Sequence, residues 1–161
     1  MDDRAGMRSQ ETLLRRDAAA VEAMMQTIRL GGRAELVVTG ISMLPFLHPL
    51  RDSVILEAPS ALRVGDIVFF SRGGGRFILH RIRRILKNGV LVVCGDNQDW
   101  TEQVAPEQVL AKAAAVRRSG GRVISCRSAA WRISGALWYP TRPLRPALFS
   151  AACRILRKRR N

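Results

Sequence analysis

The chain has 161 residues, 47% of them hydrophobic, which is long and apolar enough to bury a core and excludes wholesale disorder. Its net charge is +14, but the charge is uneven: all 13 acidic residues fall at or before Glu107, against 14 basic ones there, and the other 13 basic residues follow with no acid among them. A balanced body with a cationic end calls for an anionic partner, lipid headgroups or nucleic acid.

Three cysteines, Cys94, Cys126 and Cys153, are odd in number and lack C-x-x-C spacing, so a disulfide framework is not expected. The two histidines, His48 and His80, have no second ligand at metal-binding spacing, and no cofactor is predicted. The opening stretch MDDRAGMRSQETLLRR has no apolar run after its charges, and no segment reaches the roughly 18 to 20 apolar residues of a spanning helix. The expectation is a cytoplasmic protein, at most peripheral on the inner face of a membrane.

In chain order, residues 9–30 predict an amphipathic helix. Leu13, Leu14, Val21, Met24, Met25 and Ile28 follow a 3.6-residue period, with Ser9 and Thr12 as caps and Gly31-Gly32 as the stop. From Ala34 the pattern changes to short strands: AELVVTG, DSVILEA, DIVFFS, RFILHRIRRIL and GVLVVCG, with no helices between. This predicts a mainly β, coiled antiparallel domain over 33–118, preceded by the helix of 1–32 and followed by a basic, partly helical extension over 119–161. RGGGR at 72–76 reads as a hairpin tip, and Ile124 ends one more strand. From Leu144 on, Leu148, Ala151, Ala152, Ile155 and Leu156 make one apolar face beside RKRR, which reads either as an interfacial helix or as one docked on the domain.

Asn88-Gly89 between apolar runs predicts a two-residue hairpin turn. Counting outward pairs Lys87 with Val90, Leu86 with Leu91, Arg84 with Val93 and His80 with Asn97, which delivers GDNQD beside His80. Ser42, in TGISMLPFL, sits where small residues allow a close approach. Serine needs a base to become nucleophilic, histidine suits that task, and a carboxylate on the imidazole N–H would fix its tautomer. Asp96 and Asp99 are the candidates for that carboxylate. His48 in its Leu-His-Pro-Leu turn, Asp52 and Asp66 read as structural.

Four motifs occur in one order: G-x-S-M-x-P at 40–45, L-x-x-G-D-I-V-x-F at 62–70, H-R at 80–81 and G-D-N at 95–97. Together, over roughly residues 33–116, they resemble the S24/S26 serine peptidases, the signal peptidase I family and its relatives. The resemblance implies a coiled all-β catalytic domain and an endopeptidase that cleaves a protein or peptide precursor through an acyl-enzyme. Ser42 matches the nucleophile. His80 stands where many bacterial members carry lysine, as in the Ser-His archaeal and endoplasmic-reticulum enzymes. Gly40 replaces a serine that helps bind the oxyanion in some members, so Gly40, Ile41 and Met43 become the candidate oxyanion and substrate-binding positions. Asp96 matches G-D, and eukaryotic-type relatives place the third member further on, which also admits Glu102; Asp96 is slightly favoured over Asp99. The membrane-anchored members begin with a spanning helix, which is not expected here, and the basic end implies an anionic membrane surface as partner.

Two other readings come from different classes. A self-cleaving repressor-like regulator would use the basic tail on DNA, but residues 9–31 offer one helix, too little for a helix-turn-helix domain, so nucleic acid is not the expected partner. A non-catalytic peptide-binding module would dock its ligand by strand addition.

Overall fold

The structure, a computed structural model, describes residues 18–144. The predicted start of the first helix, with Ser9, Thr12, Leu13 and Leu14, lies outside these residues, as do Cys153 and the tail helix after Leu144.

Helix α1 spans Ala18–Arg29. It buries Val21, Met25 and Ile28, with Met24 beside them, and each buried aliphatic contributes about 1.5–3 kcal/mol. It stops as the two glycines predict. Gly31 turns left-handed (φ 84°), its N–H donates to the Ile28 carbonyl, and the Gly32 N–H donates to Thr27.

Eight strands follow in one antiparallel sheet: β1 (Ala34–Val37), β2 (Ser53–Glu57), β3 (Ile67–Gly73), β4 (Arg76–Ile85), β5 (Leu91–Cys94), β6 (Glu102–Val104), β7 (Val109–Arg117) and β8 (Val123–Ser125). The order is β1-β2-β7-β3-β4-β5-β6, with β8 added to the end of β7. Strand β7 pairs with β3 through Val109–Lys112 and then with β2 through Lys112–Arg117, and bulges mark both pairings. Such bulges bend and twist the sheet until it coils.

Coiling gives the sheet two buried faces, which explains the unbroken apolar run Ile67–Phe70. Ile67 and Phe69 join the larger core with α1, Met43, Leu47, Ala111, Val116 and Trp131. Val68 and Phe70 join Ile82, Leu91, Val93, Val104 and Val109 on the other face. The chain after β8 belongs to the same body. Ser128 caps helix α2 (Ala129–Trp138) by accepting from the Trp131 N–H, and both Cys126 and Trp131 lie in the larger core. Helix α2 is thus a helical part of the predicted extension that packs on the domain, whereas the interfacial or docked helix expected from Leu144 on lies outside the described residues. Burial pushes the Cys126 thiol up to about 12, so it stays a neutral hydrophobe. Among the described residues no helix is long and apolar enough to cross a membrane.

The β4–β5 hairpin differs from the predicted register. Gly89 takes positive φ (83°) but Asn88 does not, so the two-residue turn with both positions left-handed does not form. Instead the Gly89 N–H donates to Leu86 and the Leu86 N–H to Val90, a three-residue loop closed by a glycine bulge. Ile85 faces Leu91, and a further bulge at Arg83 sets Ile82 against Val93 and Arg81 against Cys94. His80 therefore lies beyond the end of β5, and the expected pairing with Asn97 is replaced by the turn that begins at Gly95.

Candidate active site

Ser42 is half-buried in the run of turns at 41–46 that follows β1. Two features of the G-D-N turn hold it. The Asn97 N–H donates to the Ser42 carbonyl at 2.7 Å. A Cβ at Gly95 would come within 2.6 Å of that same oxygen, so only glycine permits the approach. Since Gly95 directly follows Cys94, the partner of Arg81, the turn brings the Ser42 loop to the end of β5, next to the middle of β4, where His80 follows Leu79 and precedes Arg81.

His80 is only 2% exposed. It lies on the Phe70 face of β4, 6.0 Å from that ring, with Trp100 edge-on at 6.1 Å. Its Nδ1 meets Glu102 Oε1 at 3.0 Å. An ionised carboxylate can only accept, so Nδ1 carries the proton in this pair and Nε2 is left as the ring's acceptor. Glu102 is ionised for a reason. Burial pushes its carboxyl up, but hydrogen bonds from His80 and from Arg72 outweigh this and hold it below the usual carboxylate range. The partner of His80 is thus the third-choice carboxylate.

The favoured Asp96 is engaged elsewhere. It accepts from Arg81 Nε at 2.9 Å and Nη2 at 2.7 Å, and from Arg83 Nη2 at 2.5 Å. The Trp138 indole N–H donates to its carbonyl at 2.8 Å. Arg81 is itself buried, stacks on Phe46 and Trp131, and donates to the Gly65 carbonyl. Adjacent residues on a strand face opposite ways, so His80 and Arg81 cannot share one carboxylate, and Asp96 falls to Arg81. Asp99 is exposed in the loop before β6 and is not the partner of His80. Its predicted role rested on an extended hairpin, and the chain has already turned at Asp96.

The other candidate positions divide. Ile41 is 55% exposed and free to meet a ligand, whereas the Met43 side chain is sealed in the larger core, which leaves only its backbone N–H for an oxyanion. Gly40 is half-buried with nothing within 4 Å of where a Cβ would be. His48 and Asp52 are structural as expected. The His48 N–H donates to Asp52 at 2.8 Å and Arg118 pairs with the same carboxylate. Asp66 closes its turn by accepting from the Arg63 N–H and also holds Arg132 of α2.

Two site residues escaped the sequence reading. Arg72 was absorbed into the hairpin tip, and Trp100 carries no motif; only the order of β6 after a tight G-D-N turn could have signalled either. Among the described residues Ser42 Oγ forms no hydrogen bond, so the serine is neither capping a helix nor closing a turn. No protein-family model matches the chain, and no curated protein matches it in sequence.

Proposed function

We propose that the chain is a serine endopeptidase of the signal-peptidase-like S24/S26 kind, acting on a protein or peptide precursor. The observation that carries this reading is a buried histidine whose Nδ1 is bonded to an ionised Glu102, on the strand paired with β5, while the turn that follows β5 holds the Ser42 loop through Gly95 and Asn97. In that arrangement Nε2 of His80 takes the Ser42 proton as the hydroxyl attacks the scissile carbonyl. The acyl-enzyme forms, and His80 returns the proton to the leaving amine. Glu102 stabilises the imidazolium in between. Backbone N–H groups at 42–43 are the nearest donors for the oxyanion.

A peripheral position on an anionic membrane fits the same reading. The acid-free stretch after Glu107 supports it, as does the outward face of α2, where Ala129, Ala130, Ile133, Ser134, Ala136 and Leu137 are all exposed and none is charged. The bare hydroxyl of Ser42 favours one alternative, a peptide-binding module without chemistry. Unliganded catalytic sites, however, commonly hold these bonds long until substrate arrives.

An active-site-directed serine probe, located by mass spectrometry, tests the reading. Label on Ser42, lost in Ser42→Ala and strongly reduced in His80→Ala, is the expected result. A folded wild type that takes no label would move the assignment to the binding module.

A further inference from the structure

Strand β3 carries a bulge: Ser71 faces Phe77 and Gly73 faces Arg76, which leaves Arg72 as the unpaired residue between them. Bulges beside functional sites re-aim a side chain, and this one sends Arg72 across the end of the sheet to β6. There its Nε donates to Glu102 Oε2 at 2.8 Å and its Nη2 to Oε1 at 2.5 Å. The same guanidinium lies 5.4 Å from the Trp100 ring centroid, and that ring in turn meets His80 edge-on. Oε1, the atom that faces His80 Nδ1, is thus shared between the donors of Arg72 and His80.

We propose that Arg72 is a positioning residue of this site: its fork fixes Glu102 against His80 Nδ1 and so selects the ring tautomer that leaves Nε2 open toward Ser42. Its catalytic consequence rests on the reading of Ser42 as nucleophile, but the tautomer can be measured without it. Without the fork, a glutamate at the edge strand can rotate toward water, because one hydrogen bond to the ring does not fix both its oxygens. Among the described residues the charged and polar groups that act on Glu102 are those of Arg72 and His80. Arg72 comes from β3, His80 from β4 and Glu102 from β6. From β5, the Cys94 thiol is turned to backbone and donates to the Trp100 carbonyl at 2.9 Å. Arg81 belongs to the opposite face with Asp96, and Asp99 is exposed.

The test uses the full chain with Arg72→Gln and Arg72→Lys. With only two histidines in the sequence, imidazole nitrogen shifts report His80 once His48→Gln assigns the other. The neutral His80 ring should carry its proton on Nδ1 in wild type, lose that preference in Arg72→Gln and keep only part of it in Arg72→Lys, which retains the charge but not the fork. The rate of serine labelling should fall tenfold to a hundredfold in Arg72→Gln. A Nδ1 tautomer unchanged in Arg72→Gln would overturn the proposal. Absence of label in wild type would count against the peptidase reading instead, and the tautomer comparison would still decide the role of Arg72. Should Arg72→Gln fail to fold, Arg72→Lys decides alone: it keeps the charge but not the fork, so a wild-type tautomer population together with a wild-type rate refutes positioning by the fork.

Discussion

Gly95→Ala is the substitution whose effect the geometry fixes most closely. The added Cβ would stand 2.6 Å from the Ser42 carbonyl oxygen and 2.7 Å from Gln98 Oε1. The glutamine can swing away, since it is a flexible side chain. The carbonyl cannot, because it is backbone and is already committed to the Asn97 N–H at 2.7 Å. Ordinary carbon–oxygen contact requires roughly 3.4 Å, so the serine loop must retreat by about 0.8 Å. Misplacement on the order of 1 Å in a catalytic group costs roughly a hundredfold in rate. The stretched Asn97 bond and the local crowding together cost about 1–3 kcal/mol of stability. The assay is the second-order rate of serine labelling, with urea unfolding run in parallel. Gly120→Ala serves as control, because nothing lies within 4 Å of its added methyl. A Gly95→Ala protein that labels within twofold of wild type would refute the claim that this close approach positions Ser42.

Three further outcomes follow from the charges and the surface. Asp96→Asn leaves the buried Arg81 and Arg83 guanidiniums without their counter-charge, and should lower stability by about 3–5 kcal/mol in urea unfolding; a loss below about 1 kcal/mol would contradict the buried cluster. Acid should unfold the protein from about pH 5 downward, because native Glu35 is held low by Ser53 and Arg117, and in Asp52 and Glu57 the penalty of burial is outweighed by hydrogen bonds from His48 N–H, Arg118, Arg127 and Arg33. Such groups stabilise the fold above their unfolded values and lose that contribution as pH falls through the folded ones, so constant stability by calorimetry from pH 6 to pH 3 would be the contrary result. Replacing Ile133 and Leu137, 57% and 67% exposed, with serine should cut cosedimentation with anionic vesicles several-fold while leaving the melting temperature unchanged; equal binding would remove α2 from the membrane contact.

How far the sequence could be read depended on what kind of signal each element carried. The strands from Ala34 to Cys94 and the Gly31-Gly32 stop were legible because apolar period and glycine placement are local properties. Strand β6 was not, since Glu-Gln-Val has neither length nor pattern; it is a strand because Val104, Gln103 and Glu102 pair with Leu91, Val92 and Val93. The alanine-rich β7 is likewise a strand by its place between β2 and β3. The carboxylate was misassigned for a related reason. A register count assumes a hairpin that keeps its phase, and here the loop at Gly89 and the bulge at Arg83 each shift it by one. Bulges are products of tertiary fit, and no residue type announced this one.

The two acids near the turn then divide according to the pleat of β4. His80 faces the Phe70 side and takes Glu102 from the edge strand, while Arg81 faces the Phe46–Trp131 side and takes Asp96. Gly95 and Asp96 are neighbours, so the residue that lets Ser42 approach is bonded to the one that anchors α2 through Arg83 and Trp138. A shift of α2 against the sheet therefore has a short route to the Ser42 loop: the Trp138 hydrogen bond to the Asp96 carbonyl, the peptide link between Asp96 and Gly95, and the close packing of Gly95 on the Ser42 oxygen. Helix α2 is also the element whose outward face is uncharged. Through Asp96 and Gly95 the packing of α2 bears on the position of the Ser42 loop, so the reading of Ser42 as nucleophile expects a substitution that loosens α2, such as Trp138→Phe, to slow its labelling.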